Sequence, residues 1–341
     1  MRYRLLGRSG LRVSELALGA MTFGEEWGWG ATKKESKAMF DAYANAGGNF
    51  IDTANRYTEG TSEKYVGEFV KADREHFVVA TKYTLFTGRD DPNKCGNHRK
   101  NMVQALDASL QRLDTDYVDL YWLHAWDFTT PVDEVMRALD DMVCAGKVLY
   151  IGVSDTPSWI VSQANTLADL RGWTRFVGLQ IRYSLIDRTA ERDLLPMARE
   201  FDMAVTPWSV LGAGVLSGKY NKDKAATGRA QEGAATIERN LEIAAAVIEM
   251  ADQIGCTPSQ VAVSWTRQQP GVVIPIIGAR NTEQLEDNLR ALDVVLTEQQ
   301  LAELGEVSKI ELGFPHDFLG SEQIRDIVYG GTQELIDNHR S

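Results

Sequence analysis

The sequence predicts an α/β fold of the (β/α)8 TIM-barrel type, and two observations support that prediction. Short apolar runs alternate with longer amphipathic, charge-bearing segments from about residue 16 onward. Runs this short and this apolar are typical of parallel strands covered by helices, because a half-exposed strand would alternate with polar residues. There are eight runs, as one closed barrel requires: 16–18, 50–51, 77–81, 118–123, 150–153, 177–181, 204–206 and 272–276.

The segments outside this repeat predict additions to the barrel. Residues 1–13 contain a Gly-Arg-Ser-Gly turn between two short extended pieces, which predicts a hairpin across the bottom of the barrel. The long interval after the seventh strand predicts a long loop at 211–233 and an extra helix at 237–254. Helices at 283–291 and 297–307 and a C-terminal tail at 313–341 are expected last. Because no linker interrupts the chain, residues 1–341 are predicted to form a single domain.

Composition and charge disfavour several classes of function. With 44% hydrophobic and 25% charged residues, the chain can bury a substantial core and stay in solution. The net charge of -12 disfavours nucleic acid or an anionic membrane as the main partner, although a small phosphorylated ligand would respond to local donors. Cys95, Cys144 and Cys256 have no metal-binding spacing, and Cys144 is expected to be a small core residue. No signal-like or membrane-spanning run is present, so the sequence predicts a cytoplasmic protein.

Polar groups that are costly to bury follow three consecutive predicted strands. Asp52 follows the second strand, with Tyr57 on the next turn, Lys82 follows the third and His124 follows the fourth. A buried lysine and aspartate are tolerable as a pair. An ammonium against a tyrosine hydroxyl is expected to lower the tyrosine's pKa, and a neutral histidine can donate a hydrogen bond to a substrate oxygen. These groups suit protonation of an oxygen on which negative charge develops, as in carbonyl reduction by hydride.

Each residue also has an ordinary structural explanation. An aspartate after a strand is commonly a helix cap, and a lysine there is commonly a solvated loop residue. The histidine and tyrosine, taken alone, would be a buried imidazole and a rim aromatic. Their order at three successive strand ends favours the catalytic interpretation over four separate coincidences.

These residues resemble the catalytic tetrad of the aldo-keto reductases. Asp52-Thr53-Ala54 followed by Tyr57, then Lys82, then His124 after Tyr121-Trp122-Leu123, has the order and spacing of that family, and the similarity runs from Leu5-Leu6-Gly7 to the tail. The resemblance implies NAD(P)H-dependent reduction of aldehydes and ketones on a (β/α)8 barrel. It also implies Tyr57 as general acid, Lys82 as its tuning group, Asp52 as the anchor of Lys82 and His124 as the group that orients the carbonyl.

The resemblance further implies a set of cofactor-binding residues. No Gly-x-Gly-x-x-Gly follows a strand, which excludes a Rossmann-type site, and the glycine cluster at 212–219 is by itself a weak signal. Arg280 is expected on the 2′-phosphate of NADPH, so NADPH is preferred over NADH. The implied set is Ser154, Asp155, Gln180, Trp208, Ser209, Leu211, Gly214, Leu216, Gly218, Lys219, Gly278, Arg280, Gln284 and Asn288.

One of these positions departs from the family pattern. Asp155 stands where the aldo-keto reductases usually have asparagine beside the nicotinamide carboxamide. An ionised aspartate only accepts hydrogen bonds, whereas asparagine also donates. Cofactor binding is expected to persist, with Gln180 as the better-supported contact to the carboxamide.

Aromatic residues are expected to line the substrate pocket. Trp27, Trp29, Trp126 and Phe314 are predicted near the barrel mouth, with Trp27 and Trp126 as substrate contacts. A small carbonyl compound is the expected partner, and neither its identity nor the oligomeric state follows from the sequence. Two other functions stay open: a cofactor-binding regulatory subunit with little turnover, similar to potassium-channel β subunits, and a Schiff-base aldolase using Lys82.

Overall fold

The computed structural model describes residues 1–222 and 238–338, and its centre is a barrel of eight parallel strands. Two further strands, β1 (Tyr3–Leu5) and β2 (Arg12–Ser14), form an antiparallel hairpin before the barrel. The barrel strands are β3 (Ala17–Gly19), β4 (Phe50–Asp52), β5 (Val78–Tyr83), β6 (Val118–Leu123), β7 (Val148–Ser154), β8 (Phe176–Arg182), β9 (Ala204–Trp208) and β10 (Ile276–Ile277). The predicted fold class and the first seven predicted strands are therefore confirmed, whereas the eighth, predicted at 272–276, shares only Ile276 with β10.

The strands follow one another around the barrel in chain order. Each strand from β3 to β8 pairs in parallel with the next, and β10 pairs with β3. The backbone N–H of Val205 donates to Val272 and that of Ile274 donates to Val205, both at 2.8 Å, so hydrogen bonds also join β9 to the segment that leads into β10. Because all eight strands run the same way, their carboxyl ends meet at one mouth of the barrel.

Helices cover the outside of this barrel. The helix at Glu238–Ile254 and the two after β10 lie where the sequence predicted them. The helices are α1 (Lys33–Asn45), α2 (Thr61–Val70), α3 (Arg99–Leu113), α4 (Val132–Cys144), α5 (Ser158–Arg171), α6 (Leu194–Glu200), α7 (Lys219–Lys222), α8 (Glu238–Ile254), α9 (Pro258–Arg267), α10 (Thr282–Leu289), α11 (Glu298–Val307), α12 (His316–Gly320) and α13 (Glu322–Tyr329).

The N-terminal hairpin closes the end of the barrel opposite the mouth. Leu6 and Val13 are fully buried and belong to the cluster that fills the barrel interior. The backbone N–H of Arg8 donates to the carbonyl of Asp202, just before β9, at 2.8 Å. At Gly7, where φ is +54°, an added Cβ would lie 2.5 Å from the carbonyl oxygens of Asp202 and Val177. Glycine is therefore needed where the hairpin meets the start of these strands.

A single tryptophan fills the middle of the barrel interior. Trp122 on β6 is fully buried, and its ring lies over the backbone of Gly152 on β7 and Gly178 on β8. A Cβ at position 152 would lie 2.2 Å from the Trp122 ring, and one at 178 would lie 2.8 Å from it. The two glycines thus provide the space for the indole, and the interior is packed rather than open.

Gly152→Ala is expected to destabilise the protein by about 3 kcal/mol, because the added methyl group overlaps a ring that cannot move within a packed core. Gly305→Ala is the matched control: Gly305 lies in α11 with no heavy atom within 4 Å of the added Cβ, so helix propensity should stabilise by roughly 0.5–1 kcal/mol. Equilibrium unfolding in urea measures both. Equal stability of the two variants would contradict this description of the interior.

Outside the barrel, the structure agrees with the sequence-based predictions only in part. Of the predicted loop at 211–233, residues up to 222 form a 3-10 helix at Gly212–Ser217 and then α7, and the rest lies outside the described residues. The expectation that Cys144 is a core residue is wrong, because it is exposed at the last residue of α4. Within residues 1–222 and 238–338, no helix is both long and apolar enough to cross a bilayer. That the chain forms one domain stays a prediction.

Candidate active site

The four candidate catalytic side chains meet at the mouth of the barrel. Asp52 is the last residue of β4, Lys82 is the fifth residue of β5, and His124 directly follows β6. Tyr57 begins a 3-10 turn between β4 and α2. The structure therefore brings together the residues that the sequence placed at three separate strand ends.

The Lys82 ammonium is the centre of this group. It is fully buried and donates to Asp52 Oδ2 at 2.5 Å, to the backbone carbonyl of Thr53 at 2.8 Å and to the Tyr57 hydroxyl at 3.2 Å. Although burial acts to lower the pKa of Lys82, the adjacent Asp52 and Tyr57 hold that pKa above its ordinary value. The ammonium thus stays charged while it contacts the phenol.

The phenol of Tyr57 does not have the acidity that the sequence suggested. We expected the ammonium to lower its pKa, but burial raises the pKa of Tyr57 above its ordinary value. Lys82 lowers this pKa only in part, since the Asp52 carboxylate beside it acts in the opposite direction. The sequence pattern predicted the pair of Lys82 and Asp52 but not that burial of the phenol would outweigh the effect of the ammonium on its pKa. Tyr57 therefore keeps its proton at neutral pH, as a proton donor must.

His124 is neutral and lies beside the phenol. Its ring meets that of Tyr57 edge to face, with centroids 6.0 Å apart and an interplanar angle of 81°. Burial, with a smaller contribution from the Lys82 ammonium, holds the pKa of His124 well below its usual range. Nδ1 is buried without a hydrogen-bond partner among the described residues. A neutral imidazole there can donate one hydrogen bond to an oxygen without itself titrating near pH 7.

A strained turn fixes Tyr57 in place, and the sequence analysis missed it. Thr58, Glu59 and Gly60 have φ values of 45°, 54° and 90°. Residues other than glycine rarely adopt such backbone angles unless neighbouring contacts hold them. Thr58 Oγ1 donates to the carbonyl of Phe23 at 2.6 Å, and Trp27 Nε1 donates to Glu59 Oε1 at 3.1 Å. These contacts tie the turn to the loop after β3. The only sequence signal was the glycine three residues after the tyrosine.

Several of the candidate cofactor residues line the same mouth. Ser154 ends β7 and Gln180 lies in β8, both buried, while Trp208 ends β9. Trp208 Nε1 donates a hydrogen bond to Asp155 Oδ1 at 3.2 Å. Asp155 therefore acts as an acceptor, the only role open to an ionised carboxylate. Asp155 and Ser209 are both held in the left-handed region, at φ 39° and 60°. Backbone strain of this kind is concentrated at ligand-binding positions.

The glycine-rich segment after β9 contributes in a more limited way than its sequence suggests. Gly214 has a φ of 94°, and the Lys219 side chain passes 3.0 Å from where its Cβ would be, so the lysine folds back over this turn. Leu216 is fully buried in the core, Leu211 is partly buried, and Gly218 packs against α8 and α9. The Gly214 backbone N–H already donates to the Leu211 carbonyl at 2.9 Å, so the charged group that this segment offers to an anion is the Lys219 side chain.

The segment after β10 carries an arginine at the surface. Arg280 is exposed just before α10, with its guanidinium 6.0 Å from the ring centroid of Trp29. Gln284 Oε1 accepts from the backbone N–H of Arg280 at 3.0 Å, and Asn288 Nδ2 donates to the carbonyl of Gly278 at 3.4 Å. Both amides thus shape the segment that carries the arginine. A guanidinium ahead of a helix N-terminus suits a phosphate group.

The aromatic residues expected at the mouth divide into two groups. Trp27 lies edge to face against Tyr57, with ring centroids 6.3 Å apart, and also contacts Trp29 at 5.5 Å. Trp126 instead lines a neighbouring cavity of about 370 Å³ with exposed Phe128 and Trp159.

The contact described for Phe314 lies within the tail and not at the mouth. Its side chain is 84% exposed and contacts the Phe318 ring within the tail. Every hydrogen bond described for residues 313–337 also stays within the tail. A single aromatic in a terminal segment carries no signal of where that segment folds.

Within the described residues, no group of three or more His, Cys, Asp or Glu side chains could hold a metal ion. The site consists of a buried ion pair, a phenol, a neutral imidazole and an aromatic wall, and such groups can hold and transfer a proton.

The comparison with protein families agrees with that geometry. The model of the aldo/keto reductase family matches residues 15–309, and the chain therefore belongs to this family of oxidoreductases. Norsolorinic acid reductase of Aspergillus flavus is 39% identical over 330 residues, covering 93% of this chain and 84% of the relative. Aryl-alcohol dehydrogenase [NADP(+)] of Phanerodontia chrysosporium is 38% identical over 344 residues, covering 94% and 89%. A putative aryl-alcohol dehydrogenase of Saccharomyces cerevisiae is 36% identical over 343 residues, covering 94% and 90%.

Proposed function

We propose that the protein reduces aldehydes and ketones with NADPH and that Tyr57 is the general acid. The observation that carries the proposal is the contact of a fully buried ammonium with both the Asp52 carboxylate and the Tyr57 hydroxyl, at 2.5 and 3.2 Å. A buried ion pair is costly to build into a barrel interior. Here its ammonium contacts the phenol and can stabilise the phenolate that remains when Tyr57 gives up its proton. The names of the relatives, norsolorinic acid reductase and aryl-alcohol dehydrogenase [NADP(+)], support the same reaction class.

The residues at the mouth fit a nicotinamide dinucleotide. Gln180 Oε1 accepts no hydrogen bond among the described residues, and Ser154 lies beside it, one strand along in register. These two groups and Asp155 would hold the carboxamide, with Trp208 and Ser209 next to it. Lys219, which folds over the Gly214 turn, would hold the pyrophosphate, and Arg280 the 2′-phosphate. When bound, NADPH supplies the hydride.

The mechanism then needs only positioning and one proton. His124 Nε2 donates a hydrogen bond to the substrate carbonyl oxygen and directs it towards the Tyr57 hydroxyl. The Tyr57 hydroxyl would give its proton to that oxygen as negative charge develops on it. Lys82 stabilises the phenolate that remains, and Asp52 fixes Lys82. Trp27 forms the apolar wall beside the phenol, and Trp126 is the second proposed substrate contact.

The structure favours this role for Lys82 over that of a Schiff-base nucleophile. An amine must be unprotonated to attack a carbonyl. The raised pKa of Lys82 and its 2.5 Å contact with Asp52 keep it an ammonium, fully buried below the mouth.

A turnover assay tests the proposal as a whole. A panel of aromatic and aliphatic aldehydes, ketones and alcohols is incubated with the protein and either NADPH or NADH, and both the loss of reduced cofactor and the alcohol formed are measured. We expect one alcohol for each NADPH consumed, with aromatic aldehydes favoured by the tryptophan wall. Tight NADPH binding without turnover on any substrate would instead support a regulatory subunit.

Arg280→Ala is expected to weaken NADPH binding by about 10- to 100-fold and NADH binding by less than threefold, because only NADPH carries the 2′-phosphate. Arg290→Ala, which removes another exposed arginine at the far end of α10, is the control and should change neither affinity. Isothermal titration calorimetry at constant ionic strength measures both. Equal losses for the two cofactors would remove Arg280 from the 2′-phosphate site.

A further inference from the structure

One hydrogen bond crosses the barrel interior and links the proposed cofactor site to the acid. Gln180 Nε2 on β8 donates to Asp52 Oδ1 on β4 at 3.0 Å, and both residues are 3% exposed. The two strands are separated by three others on one side of the barrel. The other carboxylate oxygen of Asp52, Oδ2, accepts from Lys82. Asp52 is therefore held from two sides, by a cation and by a neutral amide.

We propose that Gln180 is a positioning residue: it holds Asp52 so that the Lys82 ammonium stays directed at the Tyr57 hydroxyl, while its free Oε1 faces the mouth for the cofactor carboxamide. This inference rests on the proposed role of Tyr57 and extends it. The amide of Gln180 then contacts Asp52 through Nε2 and the cofactor carboxamide through Oε1.

The distances at Lys82 give the physical reason. Its Nζ lies 2.5 Å from Asp52 but 3.2 Å from Tyr57, so the carboxylate already attracts the ammonium more strongly than the phenol does. A donor on Oδ1 takes part of the negative charge of Asp52 and prevents the carboxylate from turning both oxygens towards Lys82. Without that donor, more of the lysine's charge is neutralised and less stabilises a Tyr57 phenolate.

The test is the ionisation of Tyr57 in the cofactor-free protein, followed by phenolate absorbance as the difference between each protein and its own Tyr57→Phe counterpart. Gln180→Met keeps the approximate volume and removes the donor. We expect it to raise the pKa of Tyr57 by roughly one unit, a tenfold change in the ionisation equilibrium. Gln180→Leu serves in the same way if the Met variant does not fold.

Thr206→Val is the matched control. Thr206 pairs with Gln180 in the barrel register, is fully buried, and its hydroxyl has no partner among the described residues. Its replacement alters the same layer without touching the Asp52 contact, so the Tyr57 titration should not move. In an Asp52→Asn background, Gln180→Met should also have no further effect, because the anion that Gln180 shares is gone.

A Gln180→Met protein that unfolds more easily but titrates as the parent does would overturn the proposal, since Gln180 would then be only a packing residue. An equal shift in Thr206→Val would also overturn it. Because the measurement needs neither cofactor nor substrate, failure here is distinguishable from failure of the proposed acid, which turnover by the Tyr57→Phe variant would reveal, and from failure of the reductase assignment, which absence of turnover by the parent would reveal.

Discussion

Tyr57→Phe is expected to lower kcat for carbonyl reduction by about 10²- to 10⁴-fold, the usual contribution of a positioned general acid. The phenyl ring keeps its place against Trp27 and His124, so NADPH affinity should change by less than about threefold. Steady-state reduction and NADPH titration on the same preparation measure the two quantities. Residual turnover within tenfold of the parent would remove Tyr57 as the acid.

Tyr121→Phe provides the matched control for this result. Tyr121 lies buried on β6, and its hydroxyl donates to the carbonyl of Met102 at 3.2 Å, away from the mouth. Losing that hydrogen bond should cost about 1 kcal/mol of stability and leave kcat unchanged. A loss of activity in this variant would indicate a general sensitivity to removal of buried hydroxyls rather than a role for Tyr57.

Lys82→Met is expected both to inactivate the protein and to destabilise it by about 3–5 kcal/mol. Removing the ammonium leaves the Asp52 carboxylate buried without its cation, which is the costly way to break a buried ion pair. The phenol also loses the charge that stabilises its phenolate. Equilibrium unfolding and steady-state kinetics are measured on the same variant.

The double variant Asp52→Asn, Lys82→Met separates these two effects. With the carboxylate neutralised, most of the lost stability should return, while activity should stay at the level of Lys82→Met. If the double variant is no more stable than Lys82→Met, then Asp52 and Lys82 do not stabilise the fold as a coupled pair, contrary to what their 2.5 Å contact suggests. If activity returns with stability, Lys82 acts on folding alone.

The barrel was predictable because its signal is repeated. Eight apolar runs of the right length fixed the strands, and parallel strands place their carboxyl ends together, so Asp52, Lys82 and His124 had to meet at one mouth. The hairpin was predictable from a glycine-containing turn between two extended pieces. Both are local sequence patterns that together determine the architecture of the barrel.

What the sequence could not give was the environment of each group. The raised pKa of Tyr57 depends on burial and on Asp52 beside Lys82, and neither is a property of sequence spacing. The bond between Gln180 and Asp52 joins residues 128 positions apart. The exposure of Phe314 and Cys144 depends on where a tail and a helix end lie against the barrel, which no local pattern encodes.

The most direct test of the central claim, that Tyr57 carries the proton, is a pair of pH profiles of kcat, one for carbonyl reduction and one for alcohol oxidation. A group with a raised pKa is protonated through neutral pH, so reduction should fall and oxidation should rise only in the alkaline range, with one common apparent pKa. His124 should add no limb between pH 7 and 8, because its pKa is lowered. Profiles that rise together with pH, or a reduction rate that increases through neutrality, would contradict the account.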